Sequence, residues 1–272
     1  MELFSLKGKN IVVTGALGLL GREHIKAIAM AGGNPLMLDL NQKKLEEFAK
    51  NISQSYGVDC NGFQVDITDE QSVKENCELI ESQYSLIDGL INNAANNPKV
   101  EGNGFNFSRL ENFPLDIWEA DVAVSLTGSF LCSKYFGLCI SKNPNGGSII
   151  NISSDLGIIA PNQTLYKKHN ITDENQSVKP ITYSITKHGI IGLTRYLSTY
   201  WADRNVRSNA ICPGGVFNNQ PKEFIDALSQ LIPLGRMANR KEYRGLVIFL
   251  LSQASSYING AIISADGGRS AW

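Results

Sequence analysis

The sequence has no excess of either charge: 25 Lys and Arg stand against 26 Asp and Glu, a formal net charge of −1. No broad basic field is available, which argues against nucleic-acid binding and against docking to anionic membranes. Histidine is scarce. His24, His169 and His188 are scattered, so no zinc cluster and no metal are expected. The five cysteines (Cys60, Cys77, Cys132, Cys139, Cys212) are odd in number and form no C-x-x-C pair. They read as buried reduced thiols of a cytoplasmic protein rather than as a disulfide framework. The start, MELFSLKGK, lacks a cationic stretch followed by an apolar one, so no secretory signal is expected. The apolar stretch near 122–140 is interrupted by Ser125, Thr127, Ser133 and Lys134, and nothing else approaches a membrane span. A soluble protein follows.

What remains is an ordinary globular composition, 43% hydrophobic and 19% charged over 272 residues, enough to bury a large core. Short β-rich runs alternate with helical patterns from end to end. The expected strands are 11–14, 35–39, 63–66, 89–92, 148–153, 208–212 and 261–265, mostly continuous apolar runs suited to parallel strands covered on both faces. Helices are expected near 19–31, 41–54, 69–83, 115–141, 181–203 and 240–252. This pattern predicts one α/β domain over 1–272, a doubly wound parallel sheet of about seven strands. No repeat or linker interrupts it. Two irregular stretches lie within the domain, one at 96–113 and a polar, Pro-bounded one at about 155–180.

Ligands of an open parallel sheet bind beyond the carboxyl ends of its strands. After the first strand come Gly15, Gly18, Leu19, Leu20 and Gly21, a turn that would bring backbone close to a pyrophosphate at a helix N-terminus. Glycine also serves plain helix–strand packing, so this triplet matters because of its place between strand and helix. Asp39, 24 residues after Gly15, closes the second strand. A carboxylate there suits the ribose hydroxyls of NAD and repels the extra phosphate of NADP, although it also caps a helix. The next strand ends carry Asp66-Ile67, Asn92-Asn93-Ala94, Ser153-Ser154 and Pro213-Gly214-Gly215-Val216. Tyr183 and Lys187 are four apart at the start of a long helix and share a face. A phenol ionises near pH ~10, and a nearby cation favours its ionised form.

Together these motifs resemble the short-chain dehydrogenase/reductase family, from about Lys7 to Asp266-Gly267-Gly268. The resemblance implies a Rossmann-type fold and an oxidoreductase with Tyr183 as acid/base. Lys187 would lower the Tyr183 pKa and hold the nicotinamide ribose, and Ser154 would hold the reacting oxygen. It further implies cofactor contacts at Gly15, Gly18, Leu19, Leu20, Asp39, Asp66, Ile67, Asn92, Ala94, Pro213, Gly214 and Val216, besides Tyr183 and Lys187. A homo-oligomer, dimer or tetramer, is implied as well.

Three departures stand out. The glycines at 15, 18 and 21 have gaps of three and three where short members usually show four and two. Serine stands at 125, in Val124-Ser125-Leu126-Thr127-Gly128, where the family carries a catalytic asparagine; it is expected near Lys187, with the proton path kept through its hydroxyl or an ordered water. Tyr183 lies 29 residues after Ser154, about twice the family spacing, and the added segment carries Tyr166-Lys167-Lys168-His169. That cluster is either a solvated loop or a lid for an anionic substrate. The insertion, V-S-L-T-G-S-F-L-C, Y-W-A-D and P-L-G-R-M-A-N-R look most like a bacterial subgroup associated with flagellin and surface-glycan modification. The expected activity is NAD-dependent interconversion of a secondary alcohol and a ketone on a phosphorylated or nucleotide-linked amino sugar. An epimerase or dehydratase using NAD internally, or a non-catalytic dinucleotide binder, are the alternatives.

Overall fold

The computed structural model describes residues 2–96, 108–168 and 171–272. Most of the 96–113 loop and His169 therefore lie outside the described residues. Seven strands form one parallel sheet in the order β3-β2-β1-β4-β5-β6-β7. They are β1 (Asn10–Thr14), β2 (Asn34–Asp39), β3 (Asn61–Gln64), β4 (Gly89–Asn92), β5 (Gly147–Ile152), β6 (Val206–Pro213) and β7 (Ile262–Ala265). The continuous apolar runs are explained by the two faces. Ile11, Val13, Ile91 and Ile150 point into one core cluster, and Val12, Leu90 and Ile149 into another on the opposite face.

Helices α1 (Gly21–Met30), α2 (Gln42–Tyr56), α3 (Glu70–Gln83), α4 (Leu115–Val122) and α5 (Gly128–Lys142) come first along the chain. They are followed by α6 (Ile181–Tyr200), α7 (Lys222–Gln230) and α8 (Arg244–Leu251). Asn41 and Asp69 cap α2 and α3 through their side chains, as polar residues at those positions should. Four local expectations need correction. Strand β3 runs two residues earlier than expected, because Asn61–Gln64 is the stretch in register with Leu36–Asp39. The expected helix at 115–141 is divided by a π-helical turn, Ala123–Thr127, where the Ser129 hydroxyl donates to the Ser125 carbonyl at 2.7 Å. Residues 240–243 form a 3₁₀ turn ahead of α8 rather than its first turn. Helix α7 was not expected; nine residues after Pro221 present only a short apolar stripe, Phe224, Ile225 and Leu228.

The stretch Leu115–Lys142 is long and apolar enough to cross a membrane, against the expectation that its polar residues would disqualify it. It is a core helix. Leu131, Cys132, Phe136 and Ile140 are buried under the sheet, where the small polar residues also find partners.

His24, on α1, is almost fully buried, and neither ring nitrogen has a well-formed hydrogen bond among the described residues. Burial lowers its pKa to about 4, against weaker opposing pulls from Asn93 and Glu23. An unfolded chain takes up the proton near 6.5, whereas the native state resists it until about 4. This contribution to stability is therefore complete above pH 6.5 and is lost as pH falls toward 4, by about 3 kcal/mol at ~1.4 kcal/mol per unit. Urea melts between pH 7 and 4.5 should show that slope, and His24→Leu should flatten it. An unchanged slope in the variant would show that His24 is not responsible.

Candidate active site

A cleft of about 740 Å³ opens at the carboxyl ends of the strands. Its floor is set by β1. The Thr14 hydroxyl accepts hydrogen bonds from the Asn93 and Ala94 amides, both at 3.0 Å, which ties the end of β4 to the end of β1. Gly15 takes φ +60°, and a Cβ on it would sit 2.9 Å from the Ala94 Cα. A Cβ on Gly21 would fall 2.1 Å from the Gly15 carbonyl oxygen. Only glycine permits this folded turn, which lays backbone against the mouth of α1.

Gly15, Gly18, Leu19 and Leu20 line the cleft on that side, with Asp39, Asp66, Ile67 and Ala94 beyond them. The Asp39 carboxylate accepts from the Leu17 amide at 2.9 Å and the Leu40 amide at 2.8 Å, so it also braces the glycine turn. Asp66 accepts from the amide and hydroxyl of Thr68. Pro213, Gly214 and Val216 close the far wall. Asn92 is the exception. Its side chain is buried away from the cleft and donates to Ser133 and Asn151, at 3.0 and 2.8 Å. Alternation along β4 sends Asn92 to the buried side and leaves Asn93 on the cleft, where its amide donates to the Thr14 and Gly15 carbonyls.

Tyr183, Lys187 and Ser154 meet on the opposite wall. Helix α6 starts directly after Pro180 and is held by Ile190, Ile191, Thr194 and Leu197, so its first two turns project into the cleft. The Lys187 ammonium is buried and donates to the Ile152 carbonyl at the end of β5, at 2.9 Å. Desolvation, followed by the charge of Lys179, lowers its pKa to about 8. The expectation that Lys187 lowers the Tyr183 pKa is not met in this geometry. Burial raises the phenol's pKa, the Asp155 charge adds to that, and the Ser154 hydroxyl and Arg269 oppose it. The ammonium stands 5.9 Å from the ring centroid.

Ser154 donates to the Asp155 carboxylate at 2.8 Å, and the other Asp155 oxygen accepts from Arg269 at 2.6 Å. All three are buried. Neither Asp155 nor Arg269 was singled out in the sequence, and 114 residues separate them. A charge directly after a buried strand, and another directly after Asp266-Gly267-Gly268, were the available signals.

Ser125 is buried in the π-helical turn and borders a small void of about 10 Å³ shared with Lys179, Tyr183 and Thr186. Lys187, beside which the serine is expected, does not line that void, whereas Tyr183 does. The insertion needs a second correction. Tyr166 lines the cleft, its ring 5.8 Å from Phe224 on α7, with burial raising its pKa to about 12. Lys167 instead reaches outward to Asp173 at 3.5 Å, and the Lys168 backbone is clasped by the Gln176 amide. Neither lysine borders the cleft. Among the described residues, the cations that do border the cleft are Lys179, Lys187 and Arg269. Lys179 carries a signal that could have been read: a cation just ahead of a helix N-terminus opposes the helix dipole.

Comparisons with known proteins agree with this architecture. A family model described as "Enoyl-(Acyl carrier protein) reductase" matches residues 15–270. An uncharacterized oxidoreductase, YxbG, of Bacillus subtilis is 32% identical, covering 98% of this chain and 93% of its own. An NADP-dependent mannitol dehydrogenase of Hypocrea jecorina is 31% identical, covering 98% and 94%. Among solved structures, a gluconate 5-dehydrogenase from Burkholderia cenocepacia in complex with NADP and tartrate superposes with a TM-score of 0.86 at 24% identity. The superposition covers 100% of this chain and 98% of that one, and it shows the shared fold. With the glycine turn, the Ser154, Tyr183 and Lys187 cluster and a family match over nearly its whole length, the chain belongs to the short-chain dehydrogenase/reductase family of oxidoreductases.

Proposed function

We propose that the protein interconverts a secondary alcohol and its ketone with NAD, on a sugar or sugar-like substrate. The observation that carries this reading is the convergence of Ser154, Tyr183 and Lys187 on the cleft that also holds the glycine turn and Asp39. The residues present suit a dinucleotide: a glycine turn at a helix N-terminus for the pyrophosphate, and Asp39 for the adenosine ribose. When bound, the nicotinamide supplies or accepts the hydride. In alcohol oxidation Tyr183 takes the hydroxyl proton, while Ser154 turns its hydroxyl from Asp155 to the reacting oxygen. Lys187 anchors the nicotinamide ribose. Ser125 and one water in the void beside it, which has room for about one, feed the proton path to Tyr183.

The relatives named for NADP lean toward the phosphorylated cofactor, and here this chain is proposed to differ. Among the described residues the cations lining the cleft are Lys179, Lys187 and Arg269, at or just ahead of α6 and after β7, and a carboxylate at Asp39 would repel a 2′-phosphate. Like-charge repulsion of ~1 kcal/mol or more at ~4 Å corresponds to a preference for NAD of about fivefold or above. Titration of both oxidised cofactors against intrinsic fluorescence measures it, and tighter binding of NADP would overturn the assignment. The insertion and the P-L-G-R-M-A-N-R segment support an amino sugar of surface-glycan or flagellin modification as substrate, in the cytoplasm. Screening phosphosugars, sugar nucleotides and polyols for NADH formation tests the substrate class. Exposed Phe130 and Leu138 on α5, with Ile185, Tyr196 and Tyr200 on α6, support a homo-oligomer assembled through these helices.

A further inference from the structure

We propose that Lys179 forms an anion-binding position at the substrate end of the cleft, so that the substrate carries a carboxylate or phosphate close to its reacting carbon. The inference rests on the oxidoreductase reading of the same cleft and deepens it.

Lys179 is held in place from several directions. Its backbone amide donates to the Gln163 side chain of the insertion at 2.8 Å, and Pro180 restricts the chain on its other side. The ammonium lies 3.6 Å from the Tyr183 ring centroid, over the face of the aromatic ring. It borders both the main cleft and the small void beside Ser125. The side chain is mostly buried, yet among the described residues no carboxylate pairs with it. Four lysines of the surface, Lys134, Lys142, Lys167 and Lys222, do have such partners.

Among the described residues that line the cleft, Lys179 is a cation with neither a carboxylate nor a backbone carbonyl against its ammonium, unlike its neighbours Arg269 and Lys187. Arg269 is neutralised by Asp155, and Lys187 is committed to the Ile152 carbonyl. The same cleft is lined by Leu165, Phe224, Leu228 and Met237, whose apolar side chains offer an anion no hydrogen bond. Burying an unpaired cation is costly, and desolvation lowers the Lys179 pKa to about 8 even with Asp155 pulling it upward. A substrate anion would restore the balance. Because the ammonium covers the ring of Tyr183, an anion resting on it lies within a few bonds of the carbon whose oxygen meets the phenol. A hydroxy acid or a short phosphosugar fits this arrangement better than a substrate whose charge is remote.

Binding of an inert anion tests the proposal without turnover. The protein is first saturated with whichever of NAD⁺ or NADP⁺ it binds, which covers the glycine turn, and is then titrated with malonate and with inorganic phosphate at pH 7. At least one anion should bind, malonate the more tightly for a carboxylate substrate and phosphate for a phosphorylated one. Lys179→Met should weaken that binding tenfold or more, while Lys179→Arg and Lys167→Ala retain it. Affinity should fall above pH ~8 as the lysine loses its proton. Absence of binding by either anion, or binding unaffected by Lys179→Met, would overturn the inference. Failure of both cofactors to bind in the first step would instead overturn the oxidoreductase reading.

Discussion

Tyr183→Phe is expected to bind the cofactor as the parent does and to lose on the order of 10²–10⁴-fold in turnover, the usual contribution of a positioned acid/base. Phenylalanine keeps the ring that Lys179 covers, so packing survives and only the proton carrier is removed. The pH dependence has a definite sign. Burial and the Asp155 charge keep the phenol protonated above its ordinary range. Oxidation of an alcohol needs the ionised phenol, so its rate should climb with pH through neutrality and into the alkaline range. Ketone reduction uses the protonated phenol and should not show that climb. Stopped-time assays of NADH formation and consumption across pH 6–10 measure both, at roughly one point per unit. Near-normal turnover in Tyr183→Phe would remove the residue from the proposed chemistry.

Arg269→Met is expected to destabilise the fold by about 3–5 kcal/mol, because it leaves the Asp155 carboxylate buried without its cation. Both side chains are almost inaccessible, at 7% and 4%, so solvent does little to screen the loss. The same change should depress activity in the protein that does fold, since Asp155 also accepts the Ser154 hydroxyl. Asp155→Asn combined with Arg269→Met should be more stable than Arg269→Met alone, because the uncompensated charge is gone. Urea unfolding of the two single variants and the double variant gives the coupling. A loss below about 1 kcal/mol in Arg269→Met would mean that the pair is not the buried clasp described.

The sheet was legible because parallel strands buried on both faces must be apolar at consecutive positions, as Ile11-Val12-Val13 and Ile149-Ile150 are. Tyr183 and Lys187 were legible because helical periodicity places positions four apart on one face. Asn92 and Asn93 were not separable by that means. Which of two adjacent residues meets the cleft depends on the phase of β4 against its neighbours, and a slip of one residue exchanges the faces. Lys167 and Lys168 looked like the substrate's cations because they are adjacent and basic, but the 3₁₀ turn Gln163–Tyr166 directs Tyr166 inward and leaves Lys167 facing Asp173.

By itself, then, the sequence determined the strand–helix alternation, the glycine turn, the carboxylate at Asp39 and the spacing of Tyr183 and Lys187. Each of these follows from local geometry, over a few residues of one element and its neighbouring turn. The tertiary structure alone decided that Asp155 meets Arg269, that Lys179 covers the Tyr183 ring, and that the insertion packs on α7 through Leu165 and Tyr166. It also decided the sign of the Tyr183 shift, since burial outweighs the Ser154 hydroxyl and the Arg269 charge only once the surrounding elements have closed over the phenol. The physical reason is that desolvation and long-range pairing depend on what the rest of the chain brings to the same place, which no local pattern encodes.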